Sequence, residues 1–295
     1  MITSIVKPLL STLLLIPLFI GCISSDSGYV NESCQHKQTL SLYSLDRENK
    51  DVLNSAVKHG ELLVYNESGV LVHSQYFDPM PPSVTLDLPH GVYNLLITGN
   101  VSDNMNYNSP NSRSGANHYI SHKAQDDEHH HHADSIHLGR LPNYTIGDAT
   151  PDTLNSVHIK RMVGMVSVII NNVKQDSSQY YFNLIVSGTS SGINLHQELD
   201  STSILIRKPG AIIDEKAQID AVCFPSVDTL KVKIQLIDKQ NESIVAEIEK
   251  SMIENLQRNK WIGLEYEFKQ GEFIELGWVI KDWTNNQENE TGPAN

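Results

Sequence analysis

The densest set of metal-capable side chains is Asp126-Asp127-Glu128-His129-His130-His131-His132, with His122 and His137 near it in sequence. Imidazole and carboxylate suit zinc, nickel or copper, which makes His129, His130, His131 and His132 weak candidate ligands. Their spacing argues against a closed site. Adjacent residues do not converge on one ion in tetrahedral order, and a stable site needs a second layer of partners behind its ligands. No His-Glu-x-x-His occurs. The tract is expected to be a solvated loop without a resident metal, its imidazoles titrating near pH 6.5.

Covalent chemistry centres on Cys22. Lys7 is the only charge ahead of the apolar run Pro8 to Ile20, which ends in Ile20-Gly21-Cys22. That run is too short for a hydrocarbon core, which takes roughly 20 residues, and has the length of a secretory signal's apolar region. A small residue followed by cysteine resembles a bacterial lipobox, with Phe19 where leucine is usual and Leu18 one place further back. The lipobox implies cleavage after Gly21 and acylation of Cys22, palmitate included, and multiple acyl chains anchor a protein durably. Residues 1–21 then form a lipoprotein signal peptide and residues 22–37 a lipidated tether. The other cysteines, Cys34 and Cys223, are either one disulfide or two separate thiols; nothing in their spacing decides.

Catalytic signatures are missing from the sequence. There is no Gly-x-Ser-x-Gly elbow, phosphate-cradling glycine loop or dinucleotide fingerprint. The stretch Val186-Ser187-Gly188-Thr189-Ser190-Ser191-Gly192 has residue types a loop nucleophile needs, but they are also ordinary hairpin material. Carboxylate pairs such as Asp126-Asp127, or Glu275 with Asp282, are expected in any acidic β-protein. We therefore expect no enzyme, no cofactor and no small-molecule substrate. With 22 basic against 35 acidic residues, a net charge of −13, the chain is also unsuited to nucleic acid.

The elements that must hold these residues read mostly as strands. Leu62 to Tyr65 and Val70 to His73 flank Asn66-Glu67-Ser68-Gly69, which has hairpin-turn chemistry. Val84 to Leu88 alternates with period two, and His90-Gly91 turns the chain into Tyr93 to Thr98. One helix is expected where Val52, Leu53, Ala56 and Val57 share a face, with Gly60 as its stop. From Asn100 to Gly147 the pattern fails, which suggests long loops around one or two short strands, Ser135 to Leu138 above all. Met162 to Val173 is a nearly continuous apolar run, as in a strand covered on both faces. Leu230, Val232, Ile234 and Leu236 alternate with polar residues, as do Ile262, Leu264, Tyr266 and Phe268, and Phe273 to Trp283 closes the series. Ser251 and Glu254 are spaced as the capping box of one helical turn over Ser251 to Gln257.

Several fragments, in order, resemble a known family. Leu88-Pro89-His90-Gly91-Val92-Tyr93, ending in Gly99-Asn100, resembles the LPxGxY…WGN segment of FimB-like fimbrial anchor and tip lipoproteins of Bacteroidales, with Ile97-Thr98 in place of an aromatic-containing pair. Ala133 to Gly139 resembles their DSLYHG strand, and Val157 to Val166 the VxLxRxVAKV strand that opens their second domain. Ile280-Lys281-Asp282-Trp283 is similar to the terminal VxDW motif.

The resemblance implies an all-β chain of two transthyretin-like β-sandwich domains in tandem behind the signal peptide. The domains would span residues 38–150 and 151–285, parting near Thr150-Pro151, with a polar tail over 286–295. It further implies a type V pilus accessory subunit, lipid-anchored in the outer membrane at the cell surface, which binds fimbrillin-type pilus subunits by β-strand addition. An edge strand offers unpaired backbone groups and alternate side-chain pockets to such a partner. Thr284 to Asn295 contains no large apolar residue and makes a poor donor, so the chain is expected to receive a strand or cap the assembly. The partner-contacting residues cannot be read from the sequence. The alternative is an outer-membrane glycan-binding lipoprotein for nutrient uptake, with Trp261, Trp278 and Trp283 as a sugar platform. A periplasmic metal-binding protein using the histidine tract is a weaker rival. Trp278 and Trp283 fall on opposite faces of a regular strand, which favours core or strand-pairing roles.

Overall fold

The computed structural model describes residues 35–46, 48–107, 119–147, 155–194 and 196–283. The leader, Cys22, Cys34, the boundary expected at Thr150-Pro151 and the tail after Trp283 lie outside them.

The first half begins with β1 (Gln35–Tyr43), α1 (Leu53–Ala56), β2 (Gly60–Asn66), β3 (Leu71–Phe77), β4 (Ser83–Pro89) and β5 (Gly91–Gly99). Three short strands follow, β6 (Met105–Tyr107), β7 (Tyr119–His122) and β8 (His129–His130), then β9 (His137–Ile146) and β10 (Asn155–Arg161). Seven of these form one sheet in the order β3-β2-β5-β9-β10-β1-β4. Inward residues from one end (Leu62, Val64, Leu95, Ile97) share a core with Leu40, Leu42, Val84 and Leu86 from the other. The sheet therefore folds over on itself. α1 closes the core with Leu53 and Ala56; it is a single turn that ends four residues before Gly60, which opens β2.

The Asn66–Gly69 turn is as expected. Asn66 accepts the amide of Gly69 on its carbonyl and that of Val70 on its side chain, both at 2.9 Å, and Gly69 has φ 77°. That left-handed conformation is why glycine stands there.

The second half comprises β11 (Gly164–Asn171), β12 (Tyr180–Ser190), β13 (Gly192–Asn194), β14 (Ser203–Gly210), β15 (Ala217–Cys223), β16 (Ser226–Asp238), β17 (Ser243–Ser251), β18 (Lys260–Lys269) and β19 (Glu272–Asp282). Two sheets, β15-β11-β18-β19 and β17-β16-β12-β14-β8, pack around a single core. β11 is buried along almost its whole length, as its apolar run demanded. Val166, Val168 and Ile170 enter the core between the sheets, and Met165 faces a separate cluster on the other side. A bulge at Gly188 (φ 87°) bends β12, and a Cβ there would stand 2.3 Å from the Thr229 carbonyl oxygen.

Three features differ from the sequence reading. β10 runs parallel to β1 and antiparallel to β9, so the strand pattern at Val157 completes the first sheet. The change of sheet falls between Arg161 and Gly164. Ser251 to Gln257 is not helical: Met252 donates its amide to Leu230 and Leu256 to Ser226 Oγ, so tertiary partners replace intrahelical ones. Finally, the described parts of the segment after Asn100 contain three short strands, where long loops around one or two were expected. β7 pairs with β13 and β8 with β14, so this excursion of the first half is laid onto the second.

Candidate functional site: an interlocked junction and an open sheet edge

Four motif residues that are far apart in the chain meet at the junction of the two halves. Arg161, at the end of β10, donates from Nε to Ser135 Oγ at 3.1 Å. Its Nη1 reaches Asn259 Oδ1 and the Trp283 carbonyl oxygen, each at 3.0 Å. The guanidinium also lies 4.2 Å from the centroid of the Trp283 ring, a cation–π distance. Asn100 Nδ2 donates to the carbonyls of Ala56 (2.7 Å) and Ser135 (3.1 Å), and its Oδ1 accepts the amide of Lys58. Beneath these contacts lies an apolar cluster with Ile136, Leu138, Met162, Val163, Trp261 and Trp283. Planar guanidinium and amide groups suit this role because several donors are fixed in one plane. The sequence flagged these positions only through the resemblance, and their joining was not legible because Arg161 and Trp283 are 122 residues apart.

The histidine tract is placed otherwise than expected. His129 and His130 form β8 and pair in parallel with Leu205 and Ile206 of β14, covering what would be an open edge. A hydrogen bond from His129 and an ion pair with Arg207, both to Asp126, hold the strand's start. Backbone amides of Glu128 and His129, with the His129 and Arg207 side chains, keep the Asp126 carboxyl below its usual range. At the other end Lys208 Nζ donates to His132 Nε2 at 2.7 Å, and His132 Nδ1 donates to the Ala133 carbonyl. Burial and the nearby Lys208 charge lower the His132 pKa.

His122 is deeply buried against Phe224, donating Nδ1–H to the His131 carbonyl at 2.9 Å, while its Nε2 has no partner among the described residues. Burial pushes its pKa down to about 3. His137, also buried, bonds the Ser135 carbonyl, and burial together with Arg161 lowers it to about 3. Among the described residues no three histidines, cysteines or carboxylates are grouped to hold a metal ion. The tract thus supplies backbone for an edge. A solvated loop was the wrong expectation, because two residues adding to an edge by backbone alone need no apolar pattern.

On the opposite side of the second half the sandwich is open. β17 and β19 are each the last described strand of their sheets and lie beside one another. Lys250 bridges them, ion-paired to Glu275 and 5.5 Å over the Trp278 ring. Around this bridge Ile244, Val245, Ile274, Leu276 and Trp278 are exposed. Leu276 sits in a bulge of the β18–β19 ladder, which turns an extra apolar side chain outward. Phe273 is half-buried against Phe268 and Phe182, with centroids 5.0 and 6.1 Å apart, so apolar surface continues from the core to the rim. The other tryptophans do not join this surface, since Trp261 and Trp283 are buried.

Packed sheets with an exposed apolar edge define an all-β, sandwich-type protein. The chain belongs to the family of fimbrillin-A associated anchor proteins Mfa1 and Mfa2, which matches residues 31–289. Membership ties it to a cell-surface fimbrium and meets the resemblance drawn from its motifs.

Solved structures share the fold. The fimbrial anchor protein Mfa2 from Porphyromonas gingivalis matches with a TM-score of 0.56 and 12% identity, over 85% of this chain and 98% of that one. A Bacteroides ovatus protein described as a candidate adhesin gives 0.56 and 16%, over 84% and 93%. A Bacteroides thetaiotaomicron protein described as a candidate polysaccharide binder gives 0.57 and 12%, over 85% and 96%. Identities this low carry the fold alone. No curated protein matches. No helix among the described residues is long and apolar enough to cross a membrane.

Proposed function

We propose that this chain is a non-enzymatic, lipid-anchored accessory subunit of a fimbrium, which accepts a strand from a fimbrillin-type subunit along the open side of its second half. The observation that carries the reading is the β17–β19 edge, where neither strand has an outer neighbour among the described residues and Ile274, Leu276 and Trp278 are exposed. An incoming strand would satisfy the backbone groups and cover the apolar rim in one step. Acylation at Cys22 would fix the other end in the outer membrane. The two halves would act as tandem sandwich domains of transthyretin-like type, parting after Arg161.

The test is recovery of the lipidated chain from detergent-solubilised outer membranes of its own bacterium, followed by mass spectrometry. Co-purification of fimbrillin-type subunits, lost when Leu276 is replaced by lysine, is the expected result. Recovery alone, or with a polysaccharide-uptake transporter, would overturn the proposal. Glycan binding through a tryptophan platform is not favoured, because two of the three rings are buried.

A further inference from the structure

A second feature lies at the junction and is independent of the open edge. A cleft of about 350 Å3 opens between the end of β1 with α1, the outer face of β10, and the turn Arg258–Asn259. Its size is at the lower end for small-molecule sites. Lys160, Arg161 and Arg258 line it together with His137 and His158, against one carboxylate, Asp46. That carboxylate is turned to its own loop, where Oδ1 accepts the amides of Glu48 (2.8 Å) and Lys50 (2.9 Å). In a chain with 35 acids and 22 bases, such a positive concentration runs against the field of the whole molecule.

Two of the cations are not compensated. Among the described residues, no carboxylate lies within ion-pair distance of Lys160 or Arg258. Arg258 spends one Nη2 hydrogen on the Gln197 carbonyl. Burial alone lowers its pKa, with no acid acting on it. Lys160 and His158 are two residues apart on β10 and so share its outer face. The His158 ring is held flat against Tyr43, with centroids 4.8 Å apart and planes 12° apart. Charged donors on a fixed frame with no carboxylate to neutralise them are the makings of an anion site.

We propose that this cleft binds a small oxyanion, a carboxylate or phosphate group, between Lys160 and Arg258 with His158 at its side. The full-length mature chain, labelled with 15N at histidine, is titrated with inorganic phosphate and separately with D-glucuronate while the His158 ring resonances are followed.

Saturable movement of those resonances is expected, with affinity falling about tenfold in Lys160→Ala and again in Arg258→Gln, as the loss of one charge-assisted hydrogen bond would give. Lys160 is exposed, so its variant keeps the fold, which circular dichroism verifies. Tighter binding of phosphate identifies a free or esterified phosphate as the source, and tighter binding of glucuronate an acidic sugar. Non-saturating drift with both probes, or equal affinity in Lys160→Ala, overturns the proposal. Strand acceptance at the β17–β19 edge is untouched by either result.

Discussion

Arg161 engages Trp283 twice, over the ring at 4.2 Å from its centroid and through the main-chain carbonyl at 3.0 Å. One side chain at the end of the first sheet thereby fixes both the plane and the backbone of the residue that follows the last strand. The same guanidinium holds Ser135 and Asn259, so three distant segments are registered on a single rigid fork.

Removing that fork has a large expected cost. Arg161→Ala should lower unfolding stability by about 2–4 kcal/mol, because it deletes a cation–π contact and leaves partly buried acceptors unpaired. Arg161→Lys should recover little, since an ammonium cannot serve three partners in one plane. Urea unfolding of the two variants checks this; a change under about 0.5 kcal/mol, the range of ordinary surface substitutions, would contradict it.

Acid should loosen the molecule well above the carboxylate range. His122 and His137 each have a folded pKa of about 3 against an ordinary 6.5. Below pH 6.5 the unfolded chain takes up protons that the folded one refuses, so stability falls as pH falls, until about pH 3. From pH 7 to pH 5 each histidine should remove about 2 kcal/mol. Denaturant melts at the two pH values measure the sum over all histidines with lowered pKa, His132 and His158 among them, and His122→Gln should make the slope shallower. A flat profile would mean that these rings are not held neutral.

The open edge predicts a separation of stability from assembly. Ile274 and Leu276 are 43% and 53% exposed, so lysine at either should change stability by no more than about 0.5 kcal/mol. Each substitution adds charge to an edge, which is how sheet proteins discourage pairing. Co-purification of fimbrial subunits should therefore fail while the melting curve stays put. Normal recovery with both variants would move the contact elsewhere.

Cys223 should be silent in the native state. It is fully enclosed, its thiol donates weakly to the Ala221 carbonyl, and burial raises its pKa. Alkylation requires thiolate, so iodoacetamide should label its peptide only after unfolding. Labelling at the same rate in native and unfolded protein would show that the core around β15 opens freely.

What was legible in the sequence followed from local chemistry. Leu230 to Leu236 alternated and became half-buried β16; Met162 to Val173 was apolar throughout and became the enclosed β11. Asn66 and Gly69 announced their turn. Pairing was less legible, because a strand's pattern says which face is buried and not which strand lies beside it. Val157 and Ile159 fit either half equally well; the ladders to β1 and β9 decide. His129 and His130 carry no strand pattern at all, and their addition to β14 depends on backbone groups that every residue has. At the open edge, Phe273-Ile274-Glu275-Leu276-Gly277-Trp278 does carry a signal: apolar residues on both faces of a strand that also carries charge.

The place of β1, next to the edge strand of its sheet, has a mechanical meaning. It lies between β10, parallel, and β4, antiparallel, with ladders on both sides. Tension applied ahead of Gln35 runs along the strand axis, so these ladders are loaded in shear and must give way together. A strand at the rim of the sheet, pulled sideways, would instead unzip one bond at a time. A pull on the segment ahead of β1, as the proposed anchoring there would exert, therefore meets two ladders at once.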